Sequence, residues 1–233
     1  IAGISYLGYF AIRIVGFQHG PVLTGALGGL VSSSALTLNL SRLSKAHPGL
    51  QNVLAAGILT ACGTMFARIL LLTSILNPAL FQALAPALTM MSMVAYAFAF
   101  LLWKNAHEFQ DNGEIGLENP FQLGMAIKFG AFLAAILLLS KLLQSYYGDL
   151  GAYVLAATSG IADVDPITLS MAQLSKEGLA LDVAANAILI AVTVNTGIKG
   201  AIAFVIGGKA LGLRVGAVLT LAVIAGLTLV WRV

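Results

Sequence analysis

The apolar residues of this chain fall in runs of about 20, and that length constrains the fold more than any other feature of the sequence. Such a run is what an α-helix needs to cross a hydrocarbon core of ~30 Å, and polar or Gly/Pro breaks separate one run from the next. Charge is too scarce for a different solution. Only 9% of the 233 residues are Asp, Glu, Lys or Arg against 59% apolar, and the mean hydropathy is +0.96. A soluble domain could not cover its surface with so little charge. The chain therefore reads as an all-α polytopic membrane protein, with the lipid bilayer as its first partner.

Eight segments fit this spacing: about Ile1 to Gly16, Val22 to Ser44, Gln51 to Asn77, Ala79 to Trp103, Phe121 to Tyr147, Leu150 to Ser175, Leu181 to Ile206 and Leu211 to Arg232. The polar stretch Lys104 to Pro120, with a turn signal at Asp111-Asn112-Gly113, divides them four and four. This gives an N-terminal membrane repeat at 1–103, a linker at 104–120 and a C-terminal membrane repeat at 121–233. No signal peptide is expected at Ile1, which opens in mid-hydrophobic sequence without a basic region before it.

The halves match in register. Sliding the sequence by about 131 positions lays Gly29 to Leu38 over Gly160 to Leu169, Leu43-Ser44-Lys45 over Leu174-Ser175-Lys176, and the intramembrane Arg68 over the intramembrane Lys199. Two rare cations on one register are hard to attribute to shared hydrophobicity. Four crossings per half would set both halves in one orientation, whereas a re-entrant second segment would leave three crossings and invert the repeat. Counting Lys and Arg on either side favours the first arrangement and a cytoplasmic location for the richer side.

The second segment of each half is where regular helix is least expected. Ser159-Gly160-Ile161-Ala162-Asp163-Val164-Asp165-Pro166 sets a glycine, two carboxylates and a proline inside an apolar span. Asp before Pro reads as an N-cap, so a half-helix is expected to begin at Pro166. Ten residues from there to Ser175 span about 15 Å, half of the core, which places Asp165 near mid-depth, with Ser34 equivalent to it. A carboxylate at that depth costs at least ~2.5–3.5 kcal/mol, so Asp163 and Asp165 need a counter-charge, and Arg68 and Lys199 are the candidates. Asp163, Asp165, Ser32, Ser34, Thr37, Thr168 and Asn195 form the expected ion-binding set, with Arg68 and Lys199 as charge partners and Asp163 and Asp165 as the metal ligands of a bound cation. Hard oxygens of this kind suit Mg²⁺, Na⁺ or a proton. Half-helix N-termini and the two cations equally suit an anion or a small organic solute.

Several classes drop away. There is no HExxH, GxSxG or Walker A pattern, so no enzymatic role and no resident cofactor are expected. Lys and Arg are too scattered for a nucleic-acid groove. The single Cys62 lies inside an apolar run and reads as a packing residue, and His19, His47 and His107 lack metal-ligand spacing. A transporter or channel for a small ion, with a cation foremost, is the leading expectation. A regulatory or scaffold protein with structural ion pairs is the alternative, and a homo-oligomer is open.

Along Leu27-Gly28-Gly29-Leu30-Val31-Ser32-Ser33-Ser34-Ala35-Leu36-Thr37, and again from Leu155 to Ser170, the chain resembles an uncharacterised bacterial membrane family. That family is a domain of unknown function found C-terminal to MgtC/SapB-type domains. The likeness extends through Ala56-Gly57-Ile58-Leu59, Arg68, Asn119-Pro120-Phe121, Asn195-Thr196 and Lys199. It implies a bacterial inner-membrane location and an MgtC/SapB-like domain in the same full-length chain, and MgtC-type proteins are associated with magnesium homeostasis.

Overall fold

Several helices end here where the sequence supplies an Asn, Gly or Pro. A computed structural model describes residues 21–47, 49–105, 134–136, 138–139, 142 and 146–230, and among these it is helical without a strand. The elements are α1 (Pro21–Ala46), α2 (Gln51–Leu76), α3 (Pro78–Lys104), α4 (Asp149–Ala162), α5 (Asp165–Leu174), α6 (Leu181–Val205) and α7 (Lys209–Val230). Five helices are long and apolar enough to cross a membrane: Val22–Ala46, Gln51–Leu76, Pro78–Lys104, Leu181–Val205 and Lys209–Leu229. The expected segment at 1–16, the linker and most of the segment at 121–147 lie outside the described residues.

Asn77 alone separates α2 from α3. Its backbone is extended and its side chain accepts from the Leu80 amide at 3.2 Å, with Pro78 in the first turn, where no amide is needed. Gly208, 131 positions later, turns α6 into α7 at φ +89°, a conformation that favours glycine. The core is built on α2, buried along nearly its whole length against α1, α3, α5 and α7. Small residues let these helices approach, as lipid-embedded packing requires. A Cβ on Gly29 would lie 2.8 Å from the Ala61 carbonyl, and one on Gly160 2.5 Å from that of Ala191.

α1 is long enough to span, yet it folds back. Ser32 breaks it with φ −162° and ψ 102°. Before the break, Gly25 sits on Gly57 and Thr60, while Gly29 sits on Ala61 and Thr64, so this arm runs parallel to α2. After the break the chain must reach Gln51 within a short turn from Ala46, so the second arm returns antiparallel to α2. Leu36 on the returning arm meets Gly28 on the entering one. The element is therefore bent into a hairpin at Ser32. Asp163, 131 positions after Ser32, is likewise extended (φ −158°, ψ 150°) and separates α4 from α5.

Two hydrogen bonds fix how α2 and α6 lie. Ser44 Oγ, at the end of α1, donates to the Gly207 carbonyl after α6 at 3.3 Å, and Asn77 Nδ2, after α2, donates to Ser175 Oγ before α6 at 2.6 Å. The start of α2 thus shares a side with the end of α6, and the end of α2 with the start of α6. The two helices run antiparallel. Charge counting favours a single orientation, whereas α2 and α6 lie antiparallel.

Candidate functional site

The cations approach the centre from opposite sides. Arg68 lies eight residues before the end of α2 and Lys199 six before the end of α6, about 12 Å and 9 Å from those ends at ~1.5 Å per residue. Helical side chains lean toward their own N-terminus. Because α2 and α6 are antiparallel, both cations therefore lean toward the middle of the bundle from opposite ends.

Arg68 joins the two broken elements. Its Nη2 lies 2.9 Å from Asp165 Oδ2 at the start of α5, and its Nη1 donates to the Leu30 carbonyl at 3.0 Å, where the entering arm of α1 ends. The guanidinium thus meets a carboxylate and a helix C-terminus at once, both of which favour a cation. Asp165 is 1% exposed and Arg68 5%. This geometry corrects the expected cap. Val164, not Asp165, precedes the helix, and Asp165 is its first residue without a side-chain capping bond. Its carboxylate has turned to Arg68 instead.

The capping falls to the extended residues. Asp163 Oδ1 accepts from the Asp165 amide and Ser32 Oγ from the Ala35 amide, each at 3.3 Å. Asp163 is only partly buried, and among the described residues it forms no ion pair with Arg68 or Lys199. The expected metal pair of Asp163 and Asp165 is thereby divided between a cap and a salt bridge. Among the described residues no group of three or more His, Cys, Asp or Glu side chains converges as a metal site would. Thr37 Oγ1 donates to the Ser33 carbonyl and Thr168 Oγ1 to the Val164 carbonyl, both at 2.7 Å. These bonds fasten the first turn behind each break.

Lys199 is fully buried and donates to Ser33 Oγ at 2.7 Å and to Met65 Sδ at 2.8 Å. Ser33 and Met65 were missed in the sequence, where Ser34 seemed the counterpart of Asp165. Ser34 is half-buried. A helical phase count backward from the buried Thr37 would have pointed to Ser33, one turn earlier. Asn195 Nδ2 donates to the Gly160 carbonyl at 2.9 Å, covering the end of α4. Four buried oxygens, Ser41 Oγ, Asp165 Oδ1, Asn195 Oδ1 and Thr196 Oγ1, together with Arg68 Nε, have no hydrogen-bond partner among the described residues. Two open surface hollows, about 500 Å³ beside Arg42, Lys45 and Ile206 and about 550 Å³ along Phe81, Pro86 and Met93, lie away from this centre.

The comparisons place these features in a family. The model of the domain of unknown function DUF4010 matches residues 1–207. An uncharacterised protein of Aquifex aeolicus (strain VF5) is 35% identical over 192 residues, covering 82% of this chain and 84% of the relative. No solved structure matches. The charged centre just described lies wholly within the matched span, and the chain belongs to the DUF4010 family.

Proposed function

We propose that the protein carries a small ion across the membrane, without chemistry upon it, through the centre where the two broken elements meet. The observation that supports this most is the Arg68–Asp165 pair, buried at the ends of interrupted helices inside an otherwise apolar bundle. Non-helical backbone at membrane depth is tolerated where it is packed in protein or lines a path, and paired broken helices in inverted halves are a recurring transporter design. In this reading the halves form an inverted repeat about an axis in the membrane plane, and rocking one against the other opens the centre to either side in turn.

A small cation fits first, because Asp165 Oδ1 and Asn195 Oδ1 are buried acceptors without a donor among the described residues. Na⁺ or a proton suits a carboxylate already countered by Arg68. Mg²⁺ asks for a near-octahedral oxygen shell, which this donor set does not offer. The basic side, carrying Arg42, Lys45, Lys104 and Lys209, faces the cytoplasm of a bacterial inner membrane in this reading.

The rival reading is a scaffold in which Arg68 only ties Leu30 to Asp165. Flux of ²²Na⁺ and of protons into proteoliposomes of the full chain separates the two. Asp165→Asn and the double change Asp165→Asn with Arg68→Gln are both expected to cut flux at least tenfold. Removing one partner of a buried pair costs ~3–5 kcal/mol, and neutralising both relieves most of that. The double variant therefore regains thermal stability but not flux. Flux equal to wild type in the double variant overturns the assignment, and absence of flux in every protein leaves the scaffold standing.

A further inference from the structure

Where the returning arm of α1 meets the end of α6, serines and cations divide the helix surface between them. Ser44 Oγ donates to the Gly207 carbonyl at 3.3 Å, and a Cβ on Gly207 would lie 3.3 Å from the Ser41 Cα. Ser41 and Ser44, three residues apart, therefore share the face pressed on the end of α6. Arg42 and Lys45 each follow by one residue, about 100° further round the helix, so two like charges stand side by side at the edge of this contact. Both are exposed, and among the described residues neither forms an ion pair.

The two cations line a surface hollow of about 500 Å³ together with Ala46, Val205 and Ile206, and no acid is among its lining residues. Its other wall is apolar. Val205 is 78% exposed, at the end of a helix long and apolar enough to cross a membrane. Ala201 and Gly197, one and two turns earlier on the same face, are exposed as well, and a Cβ on Gly197 would meet nothing within 4 Å. A basic rim thus opens onto a smooth apolar track along α6. A phosphodiester carried on acyl chains matches both parts: the guanidinium takes phosphate oxygens in pairs, the ammonium adds a point charge, and hydrocarbon covers the track. Basic pockets between membrane helices recognise anionic headgroups in this way. A soluble anion would meet the cations and leave the track bare.

We infer that the hollow between α1 and α6 seats one anionic phospholipid, its phosphate on Arg42 and Lys45 and an acyl chain along Val205, Ala201 and Gly197. The lipid fastens the returning arm of α1 to α6 beside the Ser44 bond, and it does so whether or not an ion crosses at the centre.

The test is native mass spectrometry and thermal unfolding of the full chain in a neutral maltoside detergent, titrated with dioleoylphosphatidylglycerol against dioleoylphosphatidylcholine. Wild type is expected to retain one phosphatidylglycerol per chain and to melt higher with it, and to gain neither from phosphatidylcholine. Arg42→Gln with Lys45→Gln is expected to weaken retention by about tenfold or more, a loss of ~1.4 kcal/mol. Lys104→Gln with Lys176→Gln removes the same charge elsewhere and is expected to leave retention unchanged. Val205→Asp, which sets a carboxylate on the apolar wall, is expected to weaken retention while melting as wild type does without lipid. Glycerophosphoglycerol, the same headgroup without acyl chains, is expected to leave melting unaltered at matched concentration. Equal responses to the two lipids, equal losses in the two double variants, undiminished retention in Val205→Asp, or a full response to the bare headgroup each overturn the inference.

Discussion

At the residue scale, the site depends on which small side chains permit contact as much as on which charged ones make it. Gly29 and Gly160 seat the entering arm of α1 on α2 and α4 on α6, with the facing backbone of Ala61 and Ala191 too close for a Cβ. Gly29→Leu and Gly160→Leu are each expected to lower stability by ~1–3 kcal/mol, read as a fall in melting temperature in detergent, because the obstacle is backbone that cannot repack. Changes that leave melting unaltered would show that these arms are not seated as described. The charged residues of the centre were legible in the sequence, since charge inside an apolar run identifies itself. Their partners were not. Asp165 finds Arg68 from 97 positions away, and the local Asp-Pro signal for capping loses to that long-range ion pair. Ser33 differs from Ser32 and Ser34 only in its phase on a helix whose break cannot be located from three consecutive serines.

At the element scale, Pro166 and the two aspartates announced the break before α5, while the break in α1 was visible only through its register with the other half. That α1 turns back was only one of two alternatives in the sequence, because a 25-residue, largely apolar segment satisfies the length of a span whether it crosses or returns. The hairpin makes a direct prediction. In a Cys62→Ala background, which removes the one native thiol, Val22→Cys and His47→Cys are expected to react with a membrane-impermeant maleimide from the same side. Labelling from opposite sides would mean that α1 crosses. The extended residues at the two tips also explain why Thr37 and Thr168 recur: each fastens the first turn that follows a break to a carbonyl four residues back.

At the scale of the whole molecule, the antiparallel course of α2 and α6 distributes the surface charges. Arg42, Lys45, Lys104 and Lys209 flank one side, whereas Lys176 stands with Glu177 and Asp182 on the other. The resulting asymmetry predicts orientation: in intact cells, Lys176→Cys is expected to label from outside, and Lys104→Cys only after the membrane is permeabilised. The reverse pattern would invert the assignment. The interlocked contacts also impose an order on biogenesis. Arg68 enters the bilayer before Asp165 has been synthesised, and Ser33 waits for Lys199 across 166 positions. A nascent N-terminal half therefore holds an unmatched guanidinium and an unfastened hairpin until the C-terminal half has been inserted beside it. The first half is in this sense an incomplete product that a membrane protease or insertase could recognise, and only the last-made helices release it.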